Sequence, residues 1–205
     1  YYVDVSGDVV IELASADGID TIVSSVTRSL GNHQENLTLT GTLAINGVGN
    51  SLSNRINGNA ANNALDGGAG NDILSAGSGN DVIRGGLGAD LLTGGAGIDS
   101  FVYTSASESG LGSTTWDVIS DFVRGVDRIN LAGIDANVAT TTINEAFKFF
   151  GSAAFSTNAT GQMRYVYDST KGAGVLYGST DADTAAEFAI QVTGVAAMAT
   201  TDFVL

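Results

Sequence analysis

The sequence predicts an all-β protein, a right-handed parallel β-roll (a β-solenoid) followed by a C-terminal antiparallel β-rich cap. Three observations carry this expectation. Residues 67–102 read GGAGNDILS, AGSGNDVIR, GGLGADLLT and GGAGIDSFV, four consecutive nine-residue units on the pattern GGxGxDxUx, where U is a large apolar residue. The same spacing already runs through GNSLSNRIN (49–57) and GNAANNALD (58–66), and it stops after Phe101. Beyond that point apolar residues alternate over 147–150, 163–167, 174–177 and 188–192, the period of antiparallel strands. The chain therefore divides into N-terminal solenoid coils (1–48), a nonapeptide roll (49–102) and a cap (103–205).

Each nonapeptide is physically legible. Glycines at its first, second and fourth positions permit positive φ and let backbone carbonyls converge in a tight turn. The last three residues form a short strand whose U residue (Leu74, Ile83, Leu92, Phe101) points inward while its neighbours point out. Two units then make one coil, so Asp72 should lie over Asp90 and Asp81 over Asp99. Carboxylates at a coil spacing of about 4.8 Å repel by roughly 3 kcal/mol at an effective dielectric of about 20, so a cation is expected between them. A set of carboxylate and carbonyl oxygens without His or Cys suits a hard, many-coordinate cation, calcium. The expected ligands are the carboxylates of Asp72, Asp81, Asp90 and Asp99. The carbonyls of Gly68, Gly70, Gly77, Gly79, Gly86, Gly88, Gly95 and Gly97 complete the set. In the two leading units Asn54 and Asn63 take the Asp position, and their neutral amides are expected to stack as Asn ladders, leaving weak or empty sites below Asp72 and Asp81.

Composition agrees. The 205 residues include 28 Gly, no Pro and no Cys, and the net charge is −14 with only eight Lys plus Arg. One buried aliphatic side chain per nine ordered residues is a thin core, so folding should depend on neutralising this polyanion. The charge excludes nucleic acid as a partner. No apolar stretch approaches the ~18 residues of a membrane span.

Along residues 1–48, strands are expected at Tyr1–Val5, Val9–Leu13, Thr21–Val26 and Leu37–Thr40, with turns at Ser6–Gly7 and Asp17–Gly18. Gly18–Ile22 matches the GxDxU tail of a repeat. Tyr1, Tyr2 and Val3 match Phe101, Val102 and Tyr103, which follow a repeat, so the chain is expected to be the C-terminal piece of a longer protein.

The nonapeptides resemble those of the hemolysin-type (RTX) calcium-binding proteins. The segment WDVISDFVRGVDRINLAGI (116–134) resembles the DxIxDFxxGxDxIxL stretch of the serralysin C-terminal domain, matching at Asp117, Ile119, Asp121, Phe122, Gly125, Asp127, Ile129 and Leu131. That resemblance implies one more calcium site capping the roll through Asp117 or Asp127; solvated turn residues are the equal alternative. STDADTAAEF (179–188) resembles the family's DxDGDxxADF loop with two acidic positions and a glycine missing or changed, and it is assigned no calcium. The closing Asp202, Phe203, Val204 and Leu205 resemble the uncleaved type I secretion signal of the family. The resemblance implies a secreted module, extracellular or at the cell surface, that folds on calcium and engages a type I exporter through its C-terminus.

No catalytic residue is assigned. HExxH cannot be built with His33 as the single histidine, and GxSxG is absent. Trp116 is expected to pack beneath the cap. Two alternatives stay open. One is an accessory module that binds extracellular polysaccharide, like those of alginate epimerases, through Arg28, Arg55, Arg84, Arg124 or Arg128. The other is the tail of a secreted metalloprotease or lipase whose catalytic domain lies upstream.

Overall fold

A computed structural model describes residues 1–12, 18–140 and 145–205. The short strands fall alternately into two sheets, and we number them in chain order. One sheet takes β1 (Tyr2–Val3), β2 (Thr21–Ser24), β4 (Asn36–Leu39), β6 (Arg55–Asn57), β8 (Ile73–Ser78), β10 (Leu91–Ala96) and β12 (Asp117–Ile119). The other takes β3 (Arg28–Ser29), β5 (Gly47–Val48), β7 (Ala64–Ala69), β9 (Val82–Leu87), β11 (Ser100–Val102), β13 (Arg128–Asn130) and β18 (Phe203–Val204). Every pairing within these two series is parallel, which makes the chain a parallel β-solenoid.

The first sheet does not end at β12. It continues through β17 (Phe188–Thr193), β16 (Ala173–Ser179), β15 (Gln162–Asp168) and β14 (Lys148–Phe149). β17 joins β12 in parallel and β16 is antiparallel to both β15 and β17, but β14 pairs with β15 in parallel, so the 147–150 segment is not the antiparallel strand its alternation predicts. The alternating segments of the cap are thus all strands, built onto the roll rather than beside it. Phe147 and Phe188, packed edge to face at 5.6 Å, fill its interior.

Inside the roll two ladders of apolar side chains face each other. Leu37, Ile56, Leu74, Leu92 and Ile119 are in register through one sheet and each is 0% exposed. Leu65, Ile83, Phe101, Ile129 and Phe203 are in register through the other. Gly47 holds the equivalent place beside Leu65, where a Cβ would lie 3.0 Å from Leu37 and 3.2 Å from Ile56. The core narrows there, and the apolar rhythm is hidden from the sequence at that coil. Truncating the middle of a ladder leaves a void with no side chain free to collapse into it. Leu92→Ala should cost about 2–5 kcal/mol, read by urea denaturation; a loss under about 1 kcal/mol would show the ladder is not the core.

Two expectations for the first residues need correction. Tyr1–Val5 supplies only β1, and residues 9–12 form no strand; Leu13 and Asp17 lie outside the described residues. The segment crosses the first coil and is held by side chains, Arg28 donating to the Asp8 carbonyl and Gln34 to the Val10 carbonyl. Val9 and Ile11 are 76% and 71% exposed. Trp116 is half-buried at the rim of the 110–115 turn and is not among the buried core residues. Among the described residues no helix is long and apolar enough to cross a membrane.

Candidate metal centre

Stacking the nonapeptides places the acidic positions in two columns. In the first, the Asn54 N–H donates to Asp72 Oδ1 (2.7 Å), the Asp72 N–H to Asp90 Oδ1 (2.8 Å) and the Asp90 N–H to Asp117 Oδ1 (2.9 Å). In the second, Asn63 donates to Asp81 (2.7 Å), Asp81 to Asp99 (2.9 Å) and Asp99 to Asp127 (3.0 Å). Asp72 lies over Asp90 and Asp81 over Asp99, as the period requires. The columns also run past the last nonapeptide. Asp117 and Asp127 continue them across insertions that stretch the spacing from 18 residues to 27 and 28.

One oxygen of each carboxylate is thereby fixed, and the other is left over. Oδ2 of Asp72, Asp81, Asp90, Asp99 and Asp117 is buried without a hydrogen-bond partner. An unpartnered buried carboxylate oxygen is costly, so five in two lines mark places built for something positive. The glycines surround the same spaces. Gly68 pairs with Gly86 and Gly77 with Gly95 between coils, and all of Gly68, Gly70, Gly77, Gly79, Gly86, Gly88, Gly95 and Gly97 have positive φ. A Cβ on Gly86, Gly88, Gly95 or Gly97 would fall onto the carbonyl oxygen of Gly68, Gly70, Gly77 or Gly79 respectively. A Cβ on Gly67, Gly85 or Gly94 would fall onto Oδ2 of Asp72, Asp90 or Asp99. At Gly67 a carboxylate oxygen, Asp72 Oδ2, and a carbonyl oxygen, that of Gly85, meet where no side chain fits, a donor set suited to a hard divalent cation.

Burial raises these acids. Desolvation, reinforced by the Asp90 charge, lifts Asp72 to about 7. Asp81 and Asp90 rise to about 6 from the same first cause, and Asp117 to about 8, with Asp90 again the main neighbouring charge. Asp99 is raised too, by burial and then by Asp127. A carboxyl group raised on folding binds more protons in the folded than in the unfolded chain, so metal-free stability is present below the ordinary carboxylate range and is lost as pH climbs through about 6 to 8. Each fully shifted group contributes a slope of roughly 1.4 kcal/mol per pH unit. Chelated protein should therefore gain β-structure when taken from pH 8 to pH 5, followed by far-UV circular dichroism; a loss of β-structure over that range would reverse the sign of the argument.

The asparagines behave differently from the expected side-chain ladder. Asn54 Oδ1 accepts from the Asn50 N–H, and its amide donates to the Gln34 and Glu35 carbonyls. Asn63 likewise binds the Asn59 N–H and the Ile45 carbonyl. The Asn63 amide also donates to Asn59 Oδ1 in its own turn at 3.1 Å, and neither Asn oxygen is left without a donor. A polar ladder does exist at the fifth repeat position, where Asn62 accepts from the Asn80 N–H, Asn80 from Ile98 and Asn71 from Ala89.

Beyond the last repeats Asp117 and Asp127 diverge. Asp117 keeps an Oδ2 that meets no donor in full hydrogen-bond geometry, with the buried Tyr103 hydroxyl beside its carboxyl and opposing the upward shift, whereas Asp127 spends its second oxygen on the Val123 N–H at 2.7 Å. Asp121, in the same segment, clamps the final repeat by accepting from the Gly94 and Gly95 N–H groups at 2.9 and 2.7 Å. Glu108 was not singled out by the sequence. It is 2% exposed and binds Arg84, Thr104 Oγ1 and the Thr104 N–H. A lone Glu in a Ser-rich insertion carries no periodic signal. Asp181, Asp183 and Glu187 bring carboxylate oxygens within 4.8 Å of one another, but Asp183 is exposed and each of the three already accepts a backbone N–H.

The five arginines named for a polysaccharide groove are not all on one sheet. Arg55 is on the first sheet and Arg28, Arg84 and Arg128 on the second; Arg84 pairs with Asp66 and Glu108, and Arg124 with Asp202.

Residues 3–205 match the sequence profile of the Peptidase M10 serralysin C terminal family. The chain belongs to that family. Within it, Serralysin A of Dickeya chrysanthemi is 34% identical over 106 residues, covering 52% of this chain and 20% of the relative, so the chain spans about a fifth of that protein's length. Two solved structures share the fold. The AlgE6R3 subunit of the Azotobacter vinelandii mannuronan C5-epimerase superposes with a TM-score of 0.55 at 23% identity, over 75% of this chain and 78% of that one. The AlgE6R2 subunit of the same enzyme gives 0.52 at 21% identity, over 76% and 89%. A β-solenoid module of the serralysin C-terminal family is therefore the setting in which the two carboxylate columns stand.

Proposed function

We propose that this chain is the calcium-dependent folding and export module of a larger secreted protein. The observation that carries the reading is the line of unpartnered buried Oδ2 atoms at Asp72, Asp90 and Asp117, matched by Asp81 and Asp99 in the second column. Calcium between successive coils would be held by these carboxylates and by the glycine carbonyls of the turns, Gly68 with Gly86, Gly70 with Gly88, Gly77 with Gly95 and Gly79 with Gly97. Asp117 extends the first column by one site; the oxygens of Asp127 are committed to backbone, and its part is to close the second column. When bound, the ion supplies the charge that offsets carboxylate repulsion, and the chain's own residues do the rest.

At the submicromolar calcium of a cytosol the columns repel and the chain stays extended, fit for a type I exporter that reads Asp202–Leu205. Outside the cell, at the ~10⁻⁴ to 10⁻³ M affinities of extracellular calcium modules, binding drives folding. Family membership supports export, and the match to Serralysin A supports a catalytic domain upstream, of metalloprotease type.

Equilibrium dialysis of the chain against calcium, with magnesium as the control, tests the reading. Several calcium ions per chain should be retained and magnesium should not displace them, because its small octahedral shell fits poorly to carbonyl-rich turns. Retention of none, or equal retention of both cations, would refute it.

A further inference from the structure

The segment proposed as the export signal is not a loose tail. Asp202 is 1% exposed, and its Oδ1 accepts the Gly125 N–H at 3.0 Å while its Oδ2 accepts the Ala199 N–H at 2.7 Å. Arg124 Nε lies 3.5 Å from Oδ2. Phe203 is 7% exposed, its ring 4.9 Å from that of Phe149. Strand β18 pairs with β13, and the Leu131 N–H donates to the Val204 carbonyl at 2.8 Å. Leu205 packs against the same core. Both oxygens of the carboxylate and the first of its apolar followers are spent on the fold.

The seat for this segment is tied to the second carboxylate column. Asp127 joins the column below, through the Asp99 N–H at 3.0 Å, to its own turn, through the Val123 N–H at 2.7 Å. The Asp127 N–H closes that turn onto the Val123 carbonyl at 2.9 Å. Within the turn Gly125, at φ +77°, presents its N–H to Asp202. Two residues of edge strand cannot hold themselves in place, because the entropy lost in ordering their backbones exceeds what their ladder hydrogen bonds return. The segment docks only on a seat already formed.

We infer that the folded roll sequesters Asp202–Leu205, through a seat at residues 123–127 that orders together with the second carboxylate column. Folding and display of the proposed export signal are then mutually exclusive states of one chain. The inference rests on the function proposed above.

Hydrogen–deuterium exchange of a peptide spanning 199–205, recorded beside circular dichroism of the whole chain in calcium and in chelator, separates the two ideas. The segment should gain protection in step with the roll. Asp202→Ala strands the Gly125 and Ala199 N–H groups and should speed exchange of the segment about 30-fold or more, while the roll still folds cooperatively as calcium is added. Asp127→Ala, which loosens the seat from the column side, should speed it as well. A roll that folds with calcium while the segment exchanges at its unfolded rate overturns the inference and leaves the calcium reading standing. A roll already formed in chelator overturns the calcium reading instead; sequestration is then decided by the variants, and an Asp127→Ala chain with unchanged exchange of the segment refutes the coupling.

Discussion

Replacing Asp90 with alanine is expected to raise the calcium needed for folding by on the order of tenfold or more, because affinity in such sites follows the number of charged ligands. Asp90 lies in the middle of the first column, between Asp72 and Asp117, and its loss removes a carboxylate from the spaces on both sides. It also strips the Asp72 N–H of its acceptor. Asp90→Asn restores an acceptor without the charge, so it should fall between alanine and wild type if charge matters, and match wild type if only the hydrogen bond does. Asp4→Ala removes an exposed carboxylate that belongs to neither column and serves as the control. A calcium midpoint for Asp90→Ala equal to that of Asp4→Ala would remove Asp90 from the centre.

A methyl group between the coils should be worse still. At Gly88, with φ +148°, the added Cβ of Gly88→Ala would land on the carbonyl carbon and oxygen of Gly70. The neighbour is backbone and has no rotamer to yield. The unfavourable dihedral costs about 1–3 kcal/mol before the clash is counted, and coil separation would also pull apart the carbonyls that face the carboxylates. We expect Gly88→Ala to stay largely unfolded at a calcium concentration that saturates the wild type, as judged by circular dichroism. Gly172→Ala is the contrast: its φ is +62°, ordinary left-handed turn geometry, and a Cβ there meets nothing within 4 Å. It should lose about 1 kcal/mol and keep its calcium response.

The roll was legible because its physics is periodic. Leu74, Ile83, Leu92 and Phe101 recur every nine residues, and each is 0% exposed. The same period placed Asp72 above Asp90. It failed where spacing was broken: the loop 103–116 lengthens one coil, so that Asp117, 27 residues beyond Asp90, joins the column without any repeat to announce it. Resemblance to the family found Asp117 and Asp127 but not their different fates, which depend on whether a backbone N–H reaches the second oxygen. Asn54 and Asn63 lie over Asp72 and Asp81 as the period requires, but their amides bind carbonyls of the preceding coil, and that of Asn63 the Asn59 amide of its own turn, instead of forming a ladder between coils. The terminal Asp202–Leu205 reads in sequence as a short acidic-apolar tag, and only the stacking of β18 on β13 turns it into part of the fold.

Above the raised range of most of these carboxyls, the proposed function requires a cation before the two carboxylate columns can stack. Far-UV circular dichroism of chelator-treated chain at pH 7.5, followed as calcium is returned, measures it most directly. The account predicts a largely unordered spectrum that converts cooperatively to β as calcium reaches the ~10⁻⁴ to 10⁻³ M range. A full β spectrum in chelator, unchanged by calcium, would contradict it.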